Sequence, residues 1–336
     1  MVNISMWGKA LRVIPRISNE EWNALDIVSK WLISTRAAVF VMTALSGAVG
    51  GLLAYRDGSF LPLSFLACLI GLVFAHATNN LINDYVDHKK GIDKDNYYRS
   101  LYGPQPIEHG LMTEKTLFIY ILVTGLVASL AGVYLVLETG ILTLYLMIAG
   151  IFFVLFYTWP LKYIGLGEPS VVLVWGPLMV GGTYLVTSGG TWSWEIILIS
   201  LVYAAGPTTV LFGKHIDKRE EDRKKGVNTL PVLIGEAASR YSTIALWLLQ
   251  YVLLAVLIYF KMVGLMMALV ILAIPKLVNT IKVFKEPRPK TEPEALPPNV
   301  WPLYLSAAAF VYNRSFGTLF LIGLLADVIF KKTGIL

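Results

Sequence analysis

NNLINDYVDHKKGID (Asn79–Asp93) and GKHIDKREEDRKKG (Gly213–Gly226) each stand at the end of a long apolar run. An Asp at the centre of a lipid-embedded helix costs about 2.5–3.5 kcal/mol. Acids and amides therefore collect where a helix leaves the hydrocarbon. Two such clusters predict a shared polar site at the mouths of membrane helices, suited to a divalent cation and an anion.

The remaining sequence sets the scene for that site. Of 336 residues, 56% are hydrophobic and only 15% are charged, against about 25% charged in soluble domains. This excludes a water-soluble globular protein and predicts an all-α, polytopic membrane protein. Apolar runs near 36–55, 61–82, 116–137, 139–158, 170–188, 196–212, 241–260, 262–282 and 316–330 predict nine helices, since about 20 residues cross the hydrocarbon. The runs at 170–188 and 316–330 are short or broken, so eight or ten is also consistent.

With nine helices, the N-terminus and the connections after even-numbered helices share one side. That side holds all but four of the 28 Lys and Arg. The positive-inside rule places it, with both acidic clusters, on the cytoplasmic face of a cell membrane. The net charge of +6 suits an anionic substrate dissolved in the bilayer. Nucleic acid is disfavoured, because the cations lie on interhelical loops and not on a basic domain. The single Cys68 permits no disulfide within the chain.

Residues 1–30 mix charge with Trp7 and Trp22 and show no apolar core before a cleavage site. They read as an amphipathic segment lying on the membrane, not a secretory signal. Residues 31–336 read as one transmembrane domain with long cytoplasmic loops at 83–115, 213–240 and 283–313. Five prolines in 283–300 mark an extended linker. Small residues (Gly47, Gly50, Gly51; Gly176, Gly181, Gly182) predict close helix approach. Pro177, Pro207 and Pro275 predict kinks or breaks.

On a helix, Asn80, Asn83, Asp84 and Asp87 fall at i, i+3, i+4 and i+7, which is one face; Asp93 follows in the loop. Hard oxygens of this kind suit Mg²⁺, which often bridges to substrate phosphates. The plain alternative is a solvated helix end, with His88, Lys89 and Lys90 pairing the acids. In the second cluster Asp217 and Glu221 share a face. Asp222 joins Asp217 only if the turn is irregular; otherwise the cluster is a salt-bridged juxtamembrane helix. Arg36, Lys162, Lys214 and Arg99 lie on the same side and offer cations to phosphate oxygens. Tyr157 and neighbouring aromatics serve either a carbocation or the interfacial belt.

NxxNDYxDxxxGxD, followed by G-P-x-x-I-x-x-G-x-x-T over 103–113, resembles the UbiA superfamily of intramembrane prenyltransferases. YTxPLxYxGLGE (157–168) and GPLMVGGTYLV (176–186) resemble its branch that prenylates 1,4-dihydroxy-2-naphthoate in menaquinone synthesis. KHIDKREEDRKKGVNTLPVLIGE (214–236) is similar to the second superfamily signature. The resemblance implies nine helices around a cavity open to lipid, and two Mg²⁺ ions bridging the diphosphate of a polyprenyl donor. It implies a first metal site from Asn80, Asn83, Asp84, Asp87 and Asp93, and a second from Asp217 and Asp222, with Glu221 as a substitute. It places Tyr157, Lys162 and Arg99 on the diphosphate. Asp84, Asp87, Asp217 and Lys162 become the expected catalytic group, and a small aromatic molecule the expected acceptor. The second signature departs from the family, whose acids are often spaced DxxxD, whereas four residues separate Asp217 from Asp222. A secondary transporter is the rival reading. It would gather its polar groups near the bilayer midplane, where this chain has almost no ionisable residues.

Overall fold

The computed structural model describes residues 2–94, 103–294, 296–297 and 300–333. Short helices α1 (Ile4–Ala10), α2 (Asn19–Ala24) and α3 (Ile27–Ser34) precede the first long one. The N-terminal segment thus forms the capped helices α1 and α2 and the start of α3. The long helices are α4 (Phe40–Arg56), α5 (Pro62–Lys89), α6 (Glu114–Thr139), α7 (Ile141–Phe156), α8 (Gly167–Thr187) and α9 (Trp194–Asp217). Short α10 (Arg219–Lys224) and α11 (Leu230–Ile234) lead into α12 (Glu236–Tyr259), α13 (Leu265–Lys285) and α14 (Tyr304–Thr333).

Each of the nine apolar runs lies largely within a helix. Among the described residues, seven helices are long and apolar enough to cross a membrane: α4 (with its 3₁₀ lead-in from Ala37), α5, α6, α8, α9, α12 and α13. The α7 helix is apolar but has only 16 residues. The run at 316–330 is not short: α14 is continuous for 30 residues, and the preceding connection ends at Tyr304 rather than 313. Arg314 and Asp327 interrupt its apolarity without breaking its hydrogen bonding.

The prolines behave differently from one another. Pro177 has no N–H to bond back one turn, and α8 runs as a π-helix over Val174–Gly181. Pro275 falls in the first turn of the α-helical half of α13, after a 3₁₀ stretch over Leu265–Ala273, where a missing N–H costs nothing. Pro207 sits inside α9, which continues unbroken. The main core joins α4, α8, α9, α12, α13 and α14 around Tyr203, Trp247, Tyr312, Phe316 and Phe320. A second cluster fixes the N-terminal helices through Trp22, Ile33 and Phe40.

Candidate active site

The acidic end of α5 is helical through Lys89, and its predicted face is real. Asn83, Asp84 and Asp87 are buried, while Asn80 is half-buried. Burial of carboxylates requires partners, and two cations supply them. Lys162 Nζ lies 2.9 and 3.1 Å from the two Asp87 oxygens. Arg36 Nη2 donates to Asp84 Oδ1 at 3.1 Å, Asn83 Oδ1 at 3.3 Å and the Asn80 carbonyl at 2.9 Å. Asn83 Nδ2 donates to Asp87 Oδ2 at 3.0 Å and Thr158 Oγ1 at 3.3 Å. Asn80 Nδ2 donates to the Thr35 carbonyl. Arg36 itself has φ 56° and ψ 50°, left-handed backbone that a side chain disfavours by about 1–2 kcal/mol. That conformation turns the chain between α3 and α4 and delivers the guanidinium to α5.

These groups close one end of a cavity of about 1470 Å³. Asn80, Asn83, Asp87, Tyr157, Lys162, Lys214, Lys218 and Asp222 line that end, with Arg36. Asp84 and Asp93 are buried behind the lining. The rest of the wall is mainly apolar and comes from α4, α5, α6, α7, α8, α9 and α14, while Lys9, Arg12 and Arg16 of the N-terminal segment also line it. Deeper in, His76 bonds Thr43 through Nδ1 at 2.7 Å and meets Trp175 edge-on. Arg99 lies outside the described residues.

Burial, and then the charge of Asp87, push the Asp93 carboxyl up to about 6; Lys218, Lys162 and Arg36 oppose that shift. The same burial leaves Asp93 Oδ1 without a hydrogen-bond partner among the described residues. An orphaned carboxylate oxygen, repelled by a neighbouring carboxylate, is a fit for a divalent cation between them. The donor set of Asp87, Asp93 and Asn83 is of the hard-oxygen kind that Mg²⁺ takes. Among the described residues, no three His, Cys, Asp or Glu already stand at ligating distance.

The second acidic cluster is split. Asp222 faces the cavity, but Asp217 and Glu221 do not. Asp217 accepts from Arg288 Nε at 3.0 Å and from the backbone N–H groups of Leu305 and Ser306 at 3.0 and 2.9 Å. It therefore caps the start of α14. The residue that enters the cavity instead is Lys218, whose Nζ is 3.4 Å from Asp222 Oδ1.

Sequence reasoning passed over Lys218, although its i, i+4 spacing to Asp222 is a readable ion-pair signal. It also passed over His215, which lines the cavity and bonds Glu168 through Nδ1 at 2.8 Å, both residues buried. They lie 47 positions apart, and no local spacing joins them.

The model of the UbiA prenyltransferase family matches residues 40–301. Over 259 residues the chain is 31% identical to the 1,4-dihydroxy-2-naphthoate octaprenyltransferase of Escherichia coli (strain K12), covering 74% of this chain and 82% of that one. It is 27% identical over 280 residues to the Homo sapiens UbiA prenyltransferase domain-containing protein 1, covering 80% and 79%. Its fold is similar to a UbiA homolog from Aeropyrum pernix K1, with TM-score 0.60 and 16% identity over 85% of this chain and 97% of that one. It is also similar to a UbiA homolog from Archaeoglobus fulgidus bound to GPP and Mg²⁺, with TM-score 0.56 and 14% identity over 89% and 99%.

Proposed function

This chain belongs to the UbiA prenyltransferase family, and from that premise we propose that it transfers a polyprenyl group from a polyprenyl diphosphate to 1,4-dihydroxy-2-naphthoate, in a Mg²⁺-dependent reaction. The cavity carries the reading. It is large and walled mainly by apolar residues, and Asp87, Asp222, Lys162, Lys214 and Lys218 share its lining. A prenyl tail fits the apolar part and a metal-bound diphosphate the polar end. The acceptor rests on the likeness to the Escherichia coli enzyme. Residues 31–336 act as one transmembrane unit in the cell membrane, with the polar end toward the cytoplasm, as the distribution of Lys and Arg supports.

Bound Mg²⁺, held by Asp87, Asp93 and Asn83, would supply Lewis-acid stabilisation of the leaving diphosphate. Lys162 and Lys214 offer N–H donors to the diphosphate oxygens, and Tyr157 its hydroxyl. Arg36 holds Asp84 and Asn83, and so the face of α5, in place. The allylic C–O bond breaks and its electron pair leaves with the diphosphate. The acceptor ring then forms the new C–C bond at the allylic carbon. The ring carbon loses CO₂, and the electrons of that bond restore aromaticity. Apolar walls keep water from the carbocation, and Trp175 presents an aromatic ring to the same space.

Purified protein with Mg²⁺, radiolabelled geranylgeranyl diphosphate and a panel of acceptors tests this reading. The panel holds dihydroxynaphthoate, 4-hydroxybenzoate, homogentisate and a glyceryl phosphate lipid, each with an EDTA control. The expected result is one labelled, EDTA-sensitive product from dihydroxynaphthoate, lost in Asp87→Ala. A product from a different acceptor alone corrects the substrate. Folded protein that releases neither product nor diphosphate overturns the reading in favour of transport.

A further inference from the structure

Of the second acidic cluster, one carboxylate reaches the cavity, and it faces an ammonium. We propose that Lys218 stands where a second metal ion would otherwise sit, contacting the donor diphosphate directly, and that Asp217 is a helix cap and not a metal ligand. The proposal rests on the reading of the polar end as a diphosphate site.

Geometry commits Asp217 elsewhere. It ends α9 and is 2% exposed, and both its oxygens accept hydrogen bonds. Its partners are Arg288 and the first two N–H groups after Tyr304, donors that need an acceptor at a helix N-terminus. A methyl group on Gly213, one turn earlier, would lie 2.8 Å from the Ser306 backbone. The end of α9 is therefore pressed against the start of α14. Turning Asp217 toward the cavity would strand three donors in that tight contact. Glu221, the substitute that the sequence offers, is half-buried and does not line the cavity.

Lys218 is the next residue and points the other way. It is buried, lines the cavity and pairs with Asp222 one turn on. A divalent ion at Asp222 would have one carboxylate and an adjacent positive charge, which is a poor site. A phosphate group at the same place would meet three N–H donors on a compact fixed charge. Lys218 also bears on Asp93 together with Lys162 and Arg36, so the three cations surround one region. The diphosphate is then held by one metal ion on the α5 side and by ammonium groups on the α9 and Lys162 side.

The test counts metal ions. Full-length protein in detergent is titrated with Mn²⁺ in the presence of geranylgeranyl thiodiphosphate, and bound Mn²⁺ is read by electron paramagnetic resonance. One ion per chain is expected. Asp217→Asn keeps that count while its melting temperature falls. Lys218→Ala keeps the count but weakens thiodiphosphate binding about tenfold or more, and Lys218→Arg restores binding. Lys218→Asp, which sets two acids one turn apart, raises the count to two. Two ions in the unaltered protein, with one lost in Asp217→Asn, overturns the proposal. So does unchanged thiodiphosphate affinity in folded Lys218→Ala. Failure of the unaltered protein to bind thiodiphosphate at all overturns instead the diphosphate reading on which the proposal depends.

Discussion

Asp26 shows how much one side chain can organise. Its carboxylate accepts from the Asn3 N–H and the Trp7 indole, which tie α1 down, and from the Val28 and Ser29 N–H groups, which cap α3. Burial pushes its pKa up, but the donors of Ser29, Trp7 and Asn3 outweigh that and hold it well below the usual carboxylate range. A depressed folded pKa means the stabilisation is complete above the ordinary value of about 3.9 and fades as pH falls below it. The protection factor for amide exchange over residues 4–10 should therefore stay level from pH 8 to about pH 4 and fall in more acid solution. Asp26→Ala should show the lower protection factor at every pH; unchanged protection in that variant would refute the role. At this scale the sequence was readable where spacing is local. The α5 acids came from i, i+3, i+4 and i+7. The direction of Asp217 did not, because Leu305 and Ser306 are 88 and 89 positions away.

Helices in this fold meet where glycine lets their backbones touch. A methyl group on Gly50 of α4 would lie 2.5 Å from the Val180 carbonyl oxygen of α8, as its place in a small-residue cluster suggests. Gly206 and Gly213 do the same for α9 against α14, where added methyls would meet Asn313 and the Ser306 backbone. Gly213→Ala must push the start of α14 away, since backbone cannot rotate aside as a side chain can. A loss of about 1–3 kcal/mol is expected, read as a lower melting temperature, with activity falling too because the Asp217 cap moves. Gly150→Ala, with open space around its new methyl, is the control and should melt like the unaltered protein. Helix capping by a distant acid recurs at α13, whose Gly264 and Met266 N–H groups donate to Asp327 of α14. Asn313 and Arg314 interrupt the apolar pattern ahead of residue 316, which is why hydropathy started that last helix too late.

The cavity belongs to the whole molecule. Its walls combine α4, α5, α6, α7 and α8 with the second half of α9 and the start of α14, and its small residues include Gly125, Gly132 and Gly150. Nothing approaches within 4 Å of a methyl placed on Gly150, so a larger side chain there enters the cavity without displacing protein. Gly150→Phe should shorten the donor that fits: turnover with geranylgeranyl diphosphate falls at least tenfold, while turnover with geranyl diphosphate changes little. Equal loss with both donors would mean that the tail runs elsewhere. Of the two acidic clusters, the fold brings Asp87 and Asp222 to the cavity wall, buries Asp93 behind it and turns Asp217 out of it.

By itself the sequence determined the all-helical membrane class, the positions of most of the helices and the face of α5 that gathers Asn80, Asn83, Asp84 and Asp87. Hydrophobicity and a 3.6-residue period are local properties, and lipid penalises every exception strongly enough to make exceptions informative. Only the tertiary structure decided which acid of the second cluster enters the cavity. It also placed Lys218, His215 and Glu168 at one site and α14 on α9. Each of these depends on contacts between segments tens of residues apart, where the direction of a side chain is set by the partner it finds and not by its neighbours in the chain.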